Sequence, residues 1–404
     1  MDLRLLYGEN ADLAMAQKRI DDLKQTFFDK EGFMPSHTFS SSGRAEILGN
    51  HTDHNHGLVM VASISCDVLA VVSPREDNVI KICSLGYPDV VVNILDLEVK
   101  KDEYGTSDAL TRGVCKAIKD KGFNFNGFTA YTTSTIFKGA GVSSSAAFEV
   151  LVCEILNTLY LNGKLSAVER AIISQYAENV YFGKPCGLLD QSGISIGSLT
   201  KLDFNVPKEP VITQLTPPSG YTLVITNTGG DHANLTEHYA AIRKEMQEVA
   251  NYFGKSVLRE VPYKEFLKKI PSLKHHFSSR AILRSMHFYK ENERVLKAEK
   301  ALLLNDVKLF LQMVNESGLS SLNLLQNCYV PGDTNQPVVL GIELSREIIK
   351  DGAVRVHGGG FAGSILAFVS NAEKDGYITE MKRVFGKENV FEASIRKIGT
   401  TLID

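Results

Sequence analysis

The sequence predicts an α+β fold, because helices and strands are mixed without the regular βαβ repeat of a doubly wound sheet. Apolar runs, either continuous or with period two, predict strands near 57–74, 78–84, 89–95 and 126–132. Apolar residues at helical spacing predict two successive helices, at 144–160 and 166–181. Towards the carboxyl end the order is helix, strand, glycine-rich turn, strand, helix and strand.

The remaining elements follow from the same patterns. A helix is predicted near 10–28, and the run "SLTKLDF" is predicted to be a strand. The stretches "NVPKEP" and "LTPPSG" hold four prolines and predict a boundary between two domains, 1–208 and 209–404. Beyond this boundary the sequence predicts a strand, "YTLVIT", followed by helices near 233–253, 277–303 and 305–325.

Length and composition are those of a soluble globular protein. The chain has 404 residues, of which 44% are hydrophobic and 23% charged, and its net charge is −3. That charge, without any lysine- or arginine-rich run, gives no reason to expect nucleic acid as a partner. We expect no membrane span and no secretion signal. Six scattered cysteines without a C-x-x-C motif predict reduced thiols in a cytoplasmic protein.

A glycine- and serine-rich loop, "FKGAGVSSSAAFEVL", lies between a predicted strand and a predicted helix. Gly139 and Gly141 allow the backbone to approach a ligand, and Ser143, Ser144 and Ser145 add hydroxyl groups. The free N–H groups and the positive dipole end of a helix start suit a phosphate group. An ordinary loop with a serine N-cap explains this motif equally well when it is taken alone.

A second glycine cluster, "HGGGFAG", separates two apolar strands near the carboxyl end. Its glycines, among them Gly359 and Gly360, can bring the main chain against a phosphate or a sugar. The alternative is a tight hairpin with a bulge. Three consecutive glycines are more than such a turn needs, since each costs conformational entropy on folding.

The segment "CGLLDQSGISIG" contains a candidate for acid–base chemistry. Phosphoryl transfer to a hydroxyl group needs a carboxylate that receives or orients the proton, and Asp190 is suited to this role. An arginine such as Arg44 would keep Asp190 ionised, because a nearby positive charge lowers the pKa of a carboxyl group. Glu178 is a candidate ligand for Mg²⁺, which prefers oxygen donors.

The same segment also matches G-x-S-x-G, the nucleophile motif of serine hydrolases, at Gly193, Ser195 and Gly197. That motif requires a strand before the serine and a helix after it. Here a predicted strand follows the serine, so the sequence favours the phosphotransfer interpretation.

The stretch "GRAEILGNHTDHNHG", residues 43–57, has the densest polar composition in the chain. His51, Asp53, His54 and His56 suggest a metal site, but no second cluster of histidine or cysteine completes a zinc shell. A loop that binds a polyhydroxylated ligand explains the composition better, because such a ligand needs many hydrogen-bond donors and acceptors.

Four motifs in order resemble the galactokinases of the GHMP kinase superfamily. "GRAEILGNHTDHNHG" is similar to the galactokinase signature, and "KGAGVSSSAA" is similar to the GHMP phosphate loop. "KPCGLLDQ" resembles the segment that carries the catalytic aspartate, and "VRVHGGGFAG" resembles the third GHMP motif. The resemblance covers the chain from about residue 25. It implies a two-domain GHMP kinase fold with the active site in the cleft between the domains.

The resemblance also implies roles for individual residues and an ATP- and Mg²⁺-dependent sugar 1-kinase. Asp190 and Arg44 are the expected catalytic pair, and Ser145 and Glu178 are the expected Mg²⁺ ligands. The expected sugar contacts are Asn50, His51, Asp53, Gly187 and Tyr239. The expected ATP contacts are Gly139, Gly141, Ser143, Ser144, Ser145, Gly359 and Gly360. We expect a monomer or weak homo-oligomer, with the sugar and ATP as its partners.

Two positions depart from the galactokinase pattern. Galactokinases usually carry glutamate where this chain has Asn50, and often tyrosine where it has His54. The loss of a negative charge at Asn50, together with positive charge on His54 and His56, would favour a sugar carboxylate such as that of galacturonate. The alternatives are therefore a galactokinase, a kinase of a related sugar such as galacturonate, and a non-catalytic sugar sensor. The segment 314–331 also differs from the family, with no role evident from the sequence.

Overall fold

The computed structural model describes residues 1–9, 11–136, 141–230 and 235–404. Within them the α-helices are α1 (Arg4–Tyr7), α2 (Leu13–Glu31), α3 (Ser107–Asp120), α4 (Ser144–Leu161), α5 (Ala167–Tyr176), α6 (Leu189–Ile196), α7 (Thr236–Tyr252), α8 (Tyr263–His276), α9 (Ser279–Leu303), α10 (Val307–Ser320), α11 (Pro337–Ile348) and α12 (Lys374–Phe385).

The strands in the same residues are β1 (His37–Leu48), β2 (Leu58–Pro74), β3 (Val79–Ser84), β4 (Val90–Asn93), β5 (Phe128–Ser134), β6 (Leu199–Asp203), β7 (Val211–Leu215), β8 (Tyr221–Asn227), β9 (Gly352–Val356), β10 (Ser364–Ser370), β11 (Val390–Ala393) and β12 (Thr401–Leu402).

Two sheets organise these elements. The larger sheet has the order β12-β1-β2-β5-β3-β4, and its branch β6-β7 pairs with the first part of β2. The smaller sheet has the order β11-β8-β10-β9. Only β3 and β5 run parallel to each other, whereas every other pair in both sheets is antiparallel. Mostly antiparallel sheets with segregated helices confirm the predicted α+β class.

The predicted elements that carry strong apolar periodicity are present close to their predicted limits. The run 57–74 is β2, and the helix predicted at 144–160 is α4. The helix predicted at 166–181 begins with a capping box, in which Ser166 and Glu169 bond each other's backbone. It then changes into a π-helical turn over Ala177–Phe182. Such turns insert one extra residue, and here the insertion places Glu178 among buried groups.

Strand β1 was not predicted, and it carries the first six of the fifteen residues of the polar motif 43–57. Its side chains are buried after His37, although "SSSGR" is polar. Each buried serine has a hydroxyl or carboxylate partner: Ser40 donates to Asp67 at 2.5 Å, and Ser42 pairs with Ser63 at 2.6 Å. These partners satisfy the buried hydroxyl groups and make a polar strand compatible with the core.

The two halves of the chain share a core. One buried cluster contains Ile47 and Leu151 from the first half together with Leu366 and Phe368 from the second. After the predicted boundary at 208/209, strands β7 and β12 still pair into the larger sheet. The division into 1–208 and 209–404 therefore stays a prediction, with the two halves joined by strand pairing as well as by packing.

Helix α4 bears on the expectation that the chain has no membrane span. By length and composition it is apolar enough to cross a membrane, with a mean hydropathy of 1.3. It is also 67% buried inside the protein, between the larger sheet and α3 and α5. The core of a large domain requires such a helix to be apolar on most sides, which explains its composition.

Candidate active site

Arg44 and Asp190 meet at the centre of the site. Arg44 comes from β1 and Asp190 from the first turn of α6. The Nε atom of Arg44 lies 2.7 Å from Oδ1 of Asp190, and the side chains are 6% and 25% exposed, respectively. Ser143 donates its hydroxyl to Oδ2 of Asp190 at 2.5 Å. Both carboxylate oxygens therefore have a fixed donor, while part of the group still faces solvent.

The surroundings of Asp190 keep its carboxyl group ionised. Burial raises the pKa of Asp190, but the charge and hydrogen bond of Arg44 oppose burial. The hydroxyl of Ser143 and the charge of Lys184 act in the same direction as Arg44. The net result is that the pKa of Asp190 lies below its ordinary value, as expected for a carboxylate beside a guanidinium.

The described part of the glycine–serine loop packs directly on β1. Arg44 donates through Nη1 to the carbonyl of Gly141, and its backbone N–H donates to the carbonyl of Val142 at 3.1 Å. Gly141 has a φ of +68°, which favours glycine. Ser143 precedes α4, but its side chain caps no helical N–H group. The start of α4, with Ser144 and Ser145, therefore lies beside Asp190, whereas Gly139 falls outside the described residues.

A buried carboxylate cluster lies next to this loop. Glu178 accepts a hydrogen bond from Ser145 Oγ at 2.9 Å and pairs with Lys184 Nζ at 2.9 Å. Gln191 Nε2 bridges Glu178 and Glu149 at 2.7 and 2.8 Å. Burial and the charge of Glu178 raise the pKa of Glu149 well above its ordinary value, which favours the neutral acid.

The donor set around Ser145 fits Mg²⁺ better than a transition metal. One hydroxyl and one carboxylate form an incomplete shell of hard oxygen donors, which phosphate oxygens and water would complete. Among the described residues, no group of three histidine, cysteine or acidic side chains could hold a metal. The metal interpretation of His51, Asp53, His54 and His56 is therefore not supported by the structure.

The predicted sugar contacts lie close to one another or to the second glycine cluster. His51 Nε2 lies 3.0 Å from the carbonyl of Gly359, and the Tyr239 hydroxyl donates to the carbonyl of Gly360 at 3.0 Å. A Cβ atom on Gly187 would overlap the carboxylate of Asp53. Four of the five predicted sugar-binding residues thus converge, and the second glycine cluster lines their side of the site.

Glycine is required at Gly359 and Gly187 because of close packing. A Cβ atom on Gly359 would lie 2.7 Å from the ring of Tyr239.

Burial raises the pKa of Asp53 to about 6, and the charge of Asp190 acts in the same direction. Asp53 is therefore ionised at neutral pH and becomes a neutral acid only at lower pH.

Asn50 differs from the other predicted sugar contacts, because it is completely buried. Its Nδ2 donates to Glu46 Oε1 at 2.6 Å and to the carbonyl of Gly358 at 2.8 Å. Its Oδ1 accepts from Asn327 at 2.8 Å and from Ser321 at 3.3 Å. An asparagine side chain has two donor hydrogens and two acceptor lone pairs, so these four bonds use its whole capacity.

The segment 314–331 supplies this support for Asn50. Asn327 also donates to the carbonyl of Gly359 at 3.0 Å and accepts from Phe361 N–H at 2.5 Å. Ser320 bonds His287 at 2.9 Å, and the other nitrogen of His287 contacts the backbone carbonyl of Asn50 at 2.9 Å. The segment therefore fixes the positions of Gly359 and Asn50 through these hydrogen bonds.

Glu46 was missed by the sequence analysis. It lies two residues after Arg44 on β1, and the buried Arg355 donates to its Oε1 at 3.1 Å. Burial raises the pKa of Glu46 to about 7, against the charges of Arg355 and Arg44. The alternation of side chains along a strand could have placed it beside Arg44, had β1 been recognised as a strand.

Burial disfavours the charged form of each histidine in the motif 43–57. Burial lowers the pKa of His51 to about 4 and lowers the pKa of His54 well below its ordinary value. Burial also lowers the pKa of His56. The expectation that His54 and His56 bring positive charge to the sugar is therefore not supported.

The hydrolase motif is not built as a nucleophile elbow. Gly193 and Ser195 lie within α6 and Gly197 is its C-cap residue, so that the serine does not follow a strand. Ser195 is buried and donates its hydroxyl to the carbonyl of Ala167 at 2.8 Å. A serine hydrolase needs an exposed nucleophile at a strand–helix turn, and the structure contradicts that alternative.

Comparison with known proteins agrees with these features. A family model of the GHMP kinases N-terminal domain matches residues 109–198, and a galactokinase galactose-binding signature matches residues 25–74. The chain is 32% identical over 397 residues to the galactokinase of Clostridium perfringens strain ATCC 13124, covering 93% of this chain and 96% of that protein. It is 30% identical to the galactokinase of Glaesserella parasuis, covering 87% and 90%.

Solved structures show the same fold. The crystal structure of Lactococcus lactis galactokinase complexed with galactose aligns with a TM-score of 0.83 and 24% identity, over 95% of this chain and 99% of that chain. The mevalonate kinase of Methanococcus jannaschii aligns with a TM-score of 0.63 and 12% identity, over 89% and 98%. These alignments confirm the expected GHMP kinase fold.

Proposed function

The chain belongs to the galactokinase family, and we propose that it transfers the γ-phosphoryl group of ATP to the anomeric hydroxyl group of galactose. The products are galactose 1-phosphate and ADP. One observation carries this proposal: the Arg44–Asp190 ion pair lies beside the glycine–serine loop, and Asp190 is close enough to the predicted sugar contact Asp53 to raise its pKa. A carboxylate for the incoming hydroxyl and a cation for the phosphate are thus adjacent.

Asp190 receives or orients the proton of the anomeric hydroxyl group. Its lowered pKa keeps it ionised, and each of its oxygens retains a lone pair after bonding Arg44 or Ser143. Arg44 stabilises negative charge that develops on the transferring phosphoryl group. Because phosphoryl transfer needs little covalent chemistry from the protein, positioning and charge neutralisation supply most of the catalysis.

The nucleotide phosphates are assigned to the loop and the start of α4. Gly141, Ser143 and Ser144 offer backbone N–H groups beside the positive end of the helix dipole. Gly139 lies outside the described residues, and the resemblance alone assigns it to ATP. The resemblance also assigns Gly359 and Gly360 to ATP, and because their carbonyls contact His51 and Tyr239, we propose that they lie at the boundary between the two substrates.

Ser145 and Glu178 would hold Mg²⁺ against the phosphates. The ion supplies neutralisation of phosphate charge when it is bound. Glu178 is oriented for this by Gln191 and Lys184, and Lys184 lies at the same carboxylate oxygen as Ser145. This arrangement keeps the carboxylate in one position before any ligand arrives.

The polar groups around the sugar favour galactose over galacturonate. The galacturonate alternative relied on positive charge from His54 and His56, but burial lowers the pKa of both and disfavours their charged forms. A carboxyl group, that of Glu46, lies beside Asn50 instead. A neutral sugar with hydroxyl groups suits this arrangement better than a sugar acid.

A sugar sensor without catalysis is the alternative in a different class. It would bind the sugar and ATP without releasing ADP. All four positions on which phosphotransfer depends are filled, by Arg44, Asp190, Ser145 and Glu178, and this favours an enzyme. Six free cysteines are compatible with a cytoplasmic protein. A monomer or weak homo-oligomer without nucleic-acid or membrane partners remains our proposal.

Measuring ADP release over a set of sugars tests the proposed function. The set comprises galactose, N-acetylgalactosamine, galacturonate, glucose, arabinose and the non-sugar substrate mevalonate. We expect the highest kcat/KM with galactose. A preference for galacturonate would restore the related-sugar alternative. Galactose binding in the presence of ATP without ADP release would instead identify a sensor.

A further inference from the structure

We propose that Glu46 is a sugar-binding residue that provides the carboxylate missing at Asn50, and that it selects neutral hydroxylated sugars. This inference rests on the proposed function, since it concerns a sugar in the same site. Asn50 cannot take the role itself, because all of its hydrogen-bonding capacity is used inside the protein. Glu46, whose carboxyl group contacts Asn50, is the candidate for this role.

The direction of the Glu46 side chain follows from strand register. Arg44 and Glu46 are paired with Ser63 and Val61 of β2, and no bulge separates them. Side chains two residues apart on a strand point to the same face, about 7 Å apart along it. Glu46 therefore faces the same side of β1 as Arg44, which contacts Asp190.

The two carboxyl oxygens of Glu46 differ in the hydrogen bonds that they accept from the described residues. Oε1 accepts hydrogen bonds from Asn50 at 2.6 Å and from Arg355 at 3.1 Å. Arg355 is itself fixed by the backbone carbonyls of Val356 and Ile47, at 2.9 and 2.8 Å. Oε2 accepts no hydrogen bond from the part of the chain that the structure describes, and the side chain retains 7% exposure.

The neighbours of Glu46 identify the space beside its side chain. Gly358, whose carbonyl bonds Asn50, lies so that a Cβ atom there would be 3.8 Å from Nη2 of Arg44. Glu46 is thus surrounded by Arg44, Gly358, Asn50 and Arg355. A ligand that fills this space meets a carboxylate oxygen with a free lone pair, which suits a hydroxyl donor and repels a second carboxylate.

A purely structural ion pair would behave differently. Glu154 provides the comparison, because one of its oxygens likewise accepts from an asparagine, Asn157, and forms an ion pair with an arginine, Arg170, each at 3.0 Å. Glu154 lies on α4, outside the set of residues that we assign to either substrate. Glu154→Gln is therefore a matched control for the loss of a buried carboxylate that contacts both an asparagine and an arginine.

The test is the selectivity of Glu46→Gln among galactose analogues that each lack one hydroxyl group. Glutamine keeps the oxygen that Arg355 and Asn50 bond, and replaces the open oxygen with an amide. In the wild-type protein, one analogue should lack the sugar hydroxyl group that donates to Glu46, and kcat/KM for it should be about 10- to 100-fold lower than for galactose. In Glu46→Gln the same removal should cost less than about threefold, and galacturonate should become a better competitor against galactose binding.

The outcomes separate this inference from the proposed function. Loss of selectivity for one hydroxyl group in Glu46→Gln, but not in Glu154→Gln, supports the inference. If the wild type phosphorylates galactose and Glu46→Gln keeps its full selectivity, or lowers kcat/KM equally for every analogue, Glu46 does not bind the sugar. If the wild type acts on no sugar, both the proposed function and this inference are overturned.

Discussion

Arg44 and Asp190, 146 residues apart in the chain, form a 2.7 Å ion pair at the junction of β1 and α6. The pair joins the two sides of the site, since Arg44 also bonds the phosphate loop through Gly141. An ion pair between two partly buried groups contributes less to stability than its geometry suggests, because both groups lose hydration. Its position beside both substrates indicates a role in catalysis.

Replacing Arg44 with alanine should lower kcat roughly 100- to 1000-fold, with a smaller change in the KM for the sugar. The reason is that the guanidinium stabilises charge that is largest in the transition state. Steady-state kinetics measure both constants. Arg19→Ala is the control, because Arg19 forms a comparable ion pair with buried Asp67 at 2.6 Å away from the site. An effect of Arg44→Ala on KM alone would argue against a transition-state role.

The acid side of the pH profile should report two carboxyl groups. The raised pKa values of Glu46 (about 7) and Asp53 (about 6) mean that both are ionised above pH 7 and become neutral as the pH falls towards 5. If both accept hydrogen bonds from sugar hydroxyl groups, log kcat/KM for the sugar should fall as the pH is lowered, with a limiting slope of about two.

Single variants should separate the two ionisations. Glu46→Gln and Asp53→Asn should each reduce the limiting slope to about one, while the KM for ATP should change little with pH over the same range. A wild-type profile that is flat between pH 7 and 5 would show that neither carboxylate is needed in its ionised form.

Replacing Glu178 with glutamine should raise the Mg²⁺ concentration required for half-maximal activity at least about tenfold, because a charged oxygen ligand is lost. Glu149→Gln is the control. Burial and the charge of Glu178 raise the pKa of Glu149 well above its ordinary value, which favours the neutral acid, and glutamine is a neutral side chain of the same shape. Equal responses of the two variants to Mg²⁺ would contradict the assignment of Glu178 as a ligand.

Asn50→Glu should destabilise the protein, because it places a second carboxylate where Asn50 now contacts Glu46 at 2.6 Å and leaves Asn327 without its present acceptor. We expect a loss of about 3 kcal/mol of unfolding free energy. Adding Glu46→Gln should recover part of that loss, since it removes the like charge. Denaturant unfolding of both single variants and of the double variant measures the coupling, and simple additivity would contradict the arrangement.

The sequence allowed the chemistry of the site to be predicted better than its construction. The helix α4 and the strand β2 have uniform apolar patterns, so local periodicity was sufficient to predict them. Asp190 and Arg44 could be paired in advance because a catalytic carboxylate at neutral pH needs a nearby cation.

The strand β1 could not be predicted, because the partners that make its polar side chains stable lie far away in the chain. Ser41 bonds Thr400 at 2.8 Å, and Ser42 bonds Ser63. The consequence was that Asn50 was expected to face the sugar, whereas its partners Asn327 and Ser321 belong to a segment whose role was unknown. Long-range hydrogen bonds of this kind leave no local pattern.

Turnover by Asp190→Asn, measured together with ATP binding, tests the central claim most directly. The substitution keeps the shape of the side chain and removes the ionised carboxylate that we propose for the anomeric hydroxyl group. We predict that ADP release with galactose falls at least about 1000-fold, while the Kd for ATP changes less than about threefold. ADP release close to that of the wild-type protein would contradict the account.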